Sequence, residues 1–552
     1  MQDLPSTGRG LDETIGGPRP GRCLDGSRPP EQAPLFDSRV PSVNATRAAR
    51  DRSWLAWAVG GASLLLLVGA SIHSAIIFSD DRALEFVSGI YTSLSMDLSH
   101  GVFYRPLASS YGFGGVRYFP LFFALQSSLT GTGLSPLAAG HLISLLSAAL
   151  AGLAVFCLLR RLGIPRMFAW ACGTLVLASA GAVNVYTNIK PDLLAAALGL
   201  LGLSFAADPS RARNDPKRIA IATAFFASAV CTKPTSVFGL ATAAVYWWLC
   251  GRRRAAIVIL GATGAAVAIA IGAFDLASNG RFLQIMAACA TGGAGQSFLE
   301  LASSQFVASL LRDPVTAALL VLSLGLVAYR RLRCQPQLPF LLLGITLVGT
   351  LVVHGSPGVG VNHLVDLYIA CLIFMCTQWQ AGSRRAIAVL FVAVALLGSA
   401  YVTARSRRFS ELVHARGTVE RVFREPGRRG RPVFSADPMI PVLAGESSYV
   451  LDPMMLGVLL SKKESIRDSA FSQLAEKRYY AVIQTVTPGA LEGMHRGDGG
   501  SFGRAWAEVL VRNYEPVERH FTYVVYRPRP STEPARGAPP STDASPGSDA
   551  AR

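Results

Sequence analysis

Long apolar runs separated by short arginine-rich stretches fill the chain from Trp54 to Val402. A bilayer core of roughly 30 Å takes about 20 helical residues to cross, and Trp54–Phe78, Leu134–Leu159 and Ile257–Ala277 reach that length. Shorter apolar runs follow at Phe168–Val183, Leu193–Ala206, Ile219–Val230, Ser236–Cys250, Val315–Tyr329, Leu338–His354, Leu364–Trp379 and Ile387–Val402. The short length of Ile219–Val230 and Ser236–Cys250 predicts helices paired inside a bundle rather than standing free in lipid. The pattern amounts to about eleven spans. Tyr118–Leu129 is too short to cross and predicts an interfacial helix.

The polar interruptions set the orientation. Arg47, Arg50 and Arg52 precede the first span and place the N-terminus in the cytoplasm, with Trp54–Phe78 as an uncleaved signal anchor. Arg160-Arg161, the run DPSRARNDPKR, Arg252-Arg253-Arg254, Arg330-Arg331-Arg333 and Arg384-Arg385 then mark interior loops. An odd number of spans puts the loop 79–133 and the region 405–528 together on the exterior face of the cytoplasmic membrane. Arg405, Arg407 and Arg408 fall outside, against the rule.

Past Ala404 the pattern changes. Arg431–Phe434, Tyr479–Gln484 and Phe521–Tyr526 read as short strands and Ser465–Lys477 has helical spacing, which predicts a small exterior α/β domain over 405–528. Residues 1–53 and 529–552 carry few large apolar side chains and predict disordered tails. The fold class is therefore a polytopic α-helical membrane protein with a transmembrane domain over 54–404 and a small exterior C-terminal domain.

Composition narrows the function classes. With 552 residues, 51% hydrophobic and 16% charged, and a mean hydropathy of +0.37, the chain is too apolar for a soluble globule of this size. The formal charge of +17 would suit a nucleic-acid binder, but the basic residues cluster between apolar helices with no nucleic-acid motif, so no nucleic-acid partner is expected. Nine cysteines include no CxxC and no zinc spacing, and none follows residue 404 to form an exterior disulfide.

Candidate chemistry begins at Asp80-Asp81, an acidic pair directly after the first span, where charge is costly unless it serves a site or meets water. The same residues would also cap a following helix. Beyond them come Glu85, an aromatic and glycine-rich passage with Tyr104, Tyr111, Phe113 and Tyr118, and the arginines Arg105 and Arg117. Lys190-Pro191-Asp192 and Thr232-Lys233-Pro234 each put a lysine at an outer helix end, where it could snorkel or hold a phosphate. Asn362 and Asp366, flanking His363, share a helical face at the exterior surface.

The acidic pair, Gly101-Val102-Phe103-Tyr104-Arg105 and the aromatic-Pro step Phe119-Pro120 resemble the first exterior loop of the membrane-embedded C-type glycosyltransferases, the superfamily of protein O-mannosyltransferases and the lipid A aminoarabinose transferase. The resemblance extends over roughly residues 54–460, through Phe434–Pro438, Leu443–Gly445 and Asp452-Pro453. His363 and Asp366 stand where the family commonly has Tyr and Glu. It implies a transferase that moves a sugar from a polyprenyl-phosphate donor to a lipid, polysaccharide or protein acceptor. Asp80 is then the general base and Asp81 its partner. Lys190, Asp192, Lys233, Arg105, Arg117, Tyr118, Asn362, His363 and Asp366 bind substrate. No cofactor is required by that chemistry, and a divalent metal stays open. A transporter or glycolipid flippase is the competing reading, and a non-catalytic envelope scaffold a third. A transporter would need ionisable groups at mid-membrane, for which Asp275 is the one candidate within a span.

Overall fold

The computed structural model describes residues 43–207, 215–290, 296–329, 338–356, 358–378, 384–406, 410–485 and 502–530. The expected N-terminal tail up to residue 42, most of the interior DPSRARNDPKR run, Arg330-Arg331-Arg333, Arg407-Arg408 and the tail from 531 lie outside the described residues. Residues 1–52 form one unit, described only where α1 begins, and residues 53–552 form a second that holds every other described element.

The helices of the apolar region are α1 (Val43–Phe78), α2 (Phe86–Ser99), α3 (Leu121–Thr130), α4 (Pro136–Arg161), α5 (Arg166–Leu175), α6 (Ala180–Tyr186), α7 (Asp192–Ala206), α8 (Pro216–Thr232), α9 (Phe238–Leu249), α10 (Arg253–Ala277), α11 (Arg281–Ala288), α12 (Gln296–Arg312), α13 (Pro314–Tyr329), α14 (Leu338–Val353), α15 (Val365–Thr377) and α16 (Arg384–Ser406). Among the described residues, four are long and apolar enough to cross a membrane: Trp57–Phe78, Pro136–Arg161, Arg253–Ala277 and Ala386–Thr403. Two bent pairs bring the number to six, Arg166–Ala178 with Ala180–Tyr186 at 78° and Phe298–Arg312 with Pro314–Tyr329 at 110°. The remaining apolar helices are shorter than a span.

Each bend has a local cause. Ser179 is extended, and its hydroxyl accepts from Ala182 N to start α6 afresh, which breaks the continuous span expected over Phe168–Val183. At the second bend Asp313 is buried. Its Oδ1 accepts from Thr316 N at 3.1 Å and its Oδ2 from Gly181 N at 3.0 Å, so one carboxylate serves the starts of both α13 and α6. Burial follows position in the bundle: α7 and α15 are buried on nearly every side, whereas α10 turns Ile257, Val258, Leu260, Ile269 and Leu276 outward. Gly152 of α4 and Gly173 of α5 meet backbone to backbone. A Cβ on Gly173 would stand 2.5 Å from the Gly152 carbonyl oxygen.

The C-terminal region carries α17 (Ser410–Glu420), β1 (Val433–Ser435), α18 (Met439–Leu443), α19 (Pro453–Lys462), α20 (Glu464–Ala475), β2 (Ala481–Thr485), α21 (Arg504–Asn513), β3 (Tyr514–His520) and β4 (Tyr523–Pro528). The sheet order is β1-β2-β4-β3, with β1 parallel to β2 and the other pairs antiparallel. Three of these strands fall where the alternation predicted them. β3 was not anticipated, because its exposed residues Pro516, Val517, Glu518 and Arg519 run consecutively without alternation.

This region docks on the loop after α1. Arg416 donates to Arg82 O at 2.8 Å, to Leu84 O and to Asp437 Oδ2 at 2.8 Å, and it is 3.0 Å from the Tyr523 hydroxyl. Phe113 N donates to Tyr449 O at 2.8 Å and Leu451 N to Phe113 O at 3.1 Å, which stitches residues 449–451 along the loop. The outcome is a loop held between the apolar bundle and a mixed sheet.

Candidate functional site

The site is assembled from the ends of short helices. Ser79 closes α1, and Asp80 caps the 3-10 turn Asp81–Ala83 by accepting from Arg82 N at 3.0 Å. Asp81 Oδ1 lies 3.0 Å from His141 Nε2 on α4. Glu85 then begins α2, and its carboxylate reaches across to α6 and α7: Lys190 Nζ donates to Glu85 Oε2 at 2.7 Å, and Asn184 donates to Oε1. The backbone N–H of Glu85 donates to Asn188 Oδ1 at 2.7 Å, and Ile189 N donates to Ser88 Oγ at 3.1 Å. These contacts lock the Lys190-Pro191-Asp192 step against the start of α2.

Asp192 opens α7 next to Lys233, which ends α8 in an extended conformation. Lys233 Nζ donates to Asp192 Oδ1 at 2.6 Å and lies 3.3 Å from His363 Nδ1. An ammonium has only donors, so Nδ1 accepts and the ring proton sits on Nε2. Asn362 Nδ2 completes the group by donating to the same Asp192 oxygen at 3.0 Å. Asp192 is buried.

A cavity of about 350 Å³ lies over this group. Its wall includes Arg117, Tyr118, Lys190, Asp192, Lys233, Asn362 and His363, together with Tyr91, Cys289 and Gly358. Seven of the residues singled out from the sequence therefore meet at one place. Three are cations, and the carboxylates beside them, Asp192 and Glu85, are each bound to one lysine.

Four expected site residues are elsewhere. Asp80 and Asp81 are absent from the cavity wall, held by the cap and by His141. Arg105 is buried away from it, donating to Asp97 Oδ1 at 2.6 Å, Ser447 Oγ at 2.6 Å, Ser448 O at 2.7 Å and Tyr111 O at 3.2 Å. A guanidinium with that many internal acceptors fastens the loop to the C-terminal region. Asp366 borders a separate small cavity with Ser236 and Thr346. Among the described residues no three His, Cys, Asp or Glu side chains form a group that could hold an ion.

The structure also adds residues. Glu85 and Asn184 support Lys190. From the C-terminal region Asp452 stands near Tyr118 and Arg117. Burial pushes the Asp452 carboxyl up to about 6, against the lowering influence of the Met455 N–H and Arg117. Burial, then Asp452, raises the Tyr118 phenol, and the same two causes push the Cys289 thiol up to about 12. Asp452-Pro453 is readable in the sequence as a helix cap, but nothing local links it to a tyrosine more than three hundred residues away.

No protein-family model matches the chain, and no curated protein matches it. Solved structures do. An oligosaccharyltransferase from Archaeoglobus fulgidus superposes with a TM-score of 0.52 at 11% identity, over 88% of this chain and 75% of that one. ArnT from Cupriavidus metallidurans, solved bound to undecaprenyl phosphate, gives 0.51 at 13% identity over 83% of this chain and 97% of its own, and its apo state gives 0.51 at 14%. At such identities the likeness is one of fold alone, shared with these two membrane transferases.

Proposed function

Starting from that shared fold, we propose that the chain is an integral-membrane glycosyltransferase that moves a sugar from a polyprenyl-phosphate carrier to a hydroxyl of an envelope lipid, polysaccharide or protein. The observation that carries the reading is the convergence of Lys190, Lys233, Arg117 and Asp192 on one cavity. The arginine distribution between apolar runs supports placing that cavity and the C-terminal region on the exterior face of the cytoplasmic membrane.

In this mechanism the carrier phosphate lies against Lys233, Lys190 and Arg117, whose charge-assisted contacts stabilise it as a leaving group without a proton donor. The acceptor oxygen attacks the anomeric carbon, the bond to phosphate breaks, and the acceptor proton passes to a carboxylate. We assign that role to Asp192. Lys233 neutralises it while the cavity is free of substrate, and an arriving phosphate draws the ammonium toward itself, which raises the basicity of Asp192 where it is needed. Asn362, Tyr118 and the Nε2–H of His363 supply neutral hydrogen-bonding groups for the sugar. Asp80 and Asp81, expected as base and partner, keep structural roles in this scheme.

The test is transfer of labelled sugar from a polyprenyl-phosphate donor by the purified full chain, with binding of polyprenyl phosphate measured alongside. Donor-dependent transfer supports the reading. Neither binding nor transfer, across hexosyl and pentosyl donors, would overturn it in favour of a transporter or flippase.

A further inference from the structure

A second cavity, of about 720 Å³, opens where α1 faces α4 and α5. Its floor is made of small residues. Gly152 and Gly173 bring α4 and α5 together backbone to backbone, and Ala70, Ala148 and Ala149 continue the trough. The rims are large and apolar, with Leu67, Leu153, Met167 and Trp170 lining the cavity while remaining exposed.

One end of the trough carries a cation. Arg166 begins α5 and lines the cavity. The arginines just before it are already bonded: Arg160 donates to Ile164 O at 2.7 Å, and Arg161 donates to Ser204 O at 2.5 Å and lies over the Phe205 ring. Arg166 is exposed and makes no hydrogen bond or ion pair with any described residue. Trp170, one turn on, shares its helical face, and an exposed indole beside a cation suits the level of lipid headgroups. On the proposed topology this end lies at the interior leaflet. From Phe156 to Leu145 the trough follows α4 for about 16 Å, at a rise of about 1.5 Å per residue. One leaflet of a bilayer core is roughly 15 Å deep. The segments of this chain outside the described residues carry no apolar run of that length, so none of them fills it.

We propose that this trough binds one anionic phospholipid, with its phosphate on Arg166 and an acyl chain along the contact between α4 and α5. The guanidinium presents a planar fork of donors that matches phosphate oxygens, and the chain covers apolar rims that are otherwise exposed. The proposal stands apart from the glycosyltransferase reading, because the trough shares no lining residue with the cavity of Lys190 and Lys233.

The experiment titrates the delipidated full chain in detergent with dioleoyl phosphatidylglycerol or dioleoyl phosphatidylcholine. Bound lipid per chain is counted by native mass spectrometry, and thermal melting is followed alongside. Phosphatidylglycerol is expected to bind as a single molecule and to raise the melting temperature, and phosphatidylcholine to bind about tenfold more weakly. Arg166→Gln should bring phosphatidylglycerol to the phosphatidylcholine level. Ala149→Trp, which fills the trough from an exposed position, should remove the response while melting like wild type without lipid. Lys233→Ala should respond as wild type does. Equal binding of the two lipids, or unchanged phosphatidylglycerol binding in either Arg166→Gln or Ala149→Trp, overturns the proposal. Displacement by an equal concentration of polyprenyl phosphate also overturns it, by giving the trough to the carrier. A lipid-free dimer that Ala149→Trp disrupts would overturn it in favour of a second copy of this chain.

Discussion

Two carboxylates five residues apart illustrate how position, rather than residue type, decides a role. Asp80 satisfies a backbone N–H within its own turn, whereas Glu85 extends to Lys190 on another helix. An acidic residue after a span looks the same in sequence in either case, so which carboxylate reaches a second helix was not legible there. The lysines were easier to read. Lys190 and Lys233 each stand at a helix end marked by proline, and helix ends at one membrane face are brought together by the bundle itself. Asp192→Asn should therefore lower transfer by about a hundredfold or more, as loss of a general base does, while Asp80→Asn, which preserves the cap, stays near wild type. The reverse ranking in a transfer assay would return the base to Asp80. Lys233→Ala removes a charge-assisted contact worth on the order of 1.5 to 3 kcal/mol and should raise KM for donor, with Lys233→Arg partly restoring it. A pH effect on stability belongs to Asp452. Its folded carboxyl titrates at about 6, above an ordinary value of about 3.9, so the folded state holds the extra proton in between. Stability accordingly falls as pH rises from about 4 to about 6 and is level above that. Melting followed across this window should show the decline in wild type and a flatter course in Asp452→Asn.

At the scale of elements, apolar length alone overstated continuity. Phe168–Val183 has the composition of a span, yet Ser179 interrupts it, and α13 meets α12 at 110°. Both interruptions use small polar side chains as caps, a signal that is visible in sequence only as a Ser or an Asp-Pro within an apolar context. The shared carboxylate of Asp313 ties the two bends together. Asp313→Ala leaves two buried N–H groups without their acceptor, at about 1 to 3 kcal/mol for each. The variant should melt below wild type and expose the α6 and α12 ends to protease. Asp313→Asn, which keeps one carbonyl acceptor, should fall between them. Equal protease resistance in all three would mean that the bends are set by packing alone.

At the scale of the whole molecule, the distance between partners limits what a sequence can disclose. Arg416 grips Asp437, Arg82 and Leu84, and Arg105 grips Asp97, Ser447 and Ser448, so two buried arginines join the loop after α1 to a sheet that begins more than three hundred residues later. Alternation predicted that an α/β region follows the last span, but the docking depends on carbonyls and carboxylates that become neighbours only in the fold. The same contacts sharpen the topological prediction. The loop after α1 and the C-terminal region touch directly, so they must lie on one side of the membrane, which requires the residues between them to cross an even number of times. The arginine pattern is the ground for proposing that this side is the exterior. A reporter active only in the cytoplasm, fused after Pro530, is therefore expected to be silent, and one fused within 208–214 to be active. If both were active, the C-terminal region and the cavity would face the cytoplasm and the donor would have to be taken from the inner leaflet. Arg416→Met gives an independent check, because breaking a buried pair with Asp437 costs about 3 to 5 kcal/mol. Loosening of the C-terminal region should then make the Tyr118 loop cleavable by exterior protease in spheroplasts, whereas cleavage confined to inside-out vesicles would reverse the assigned face.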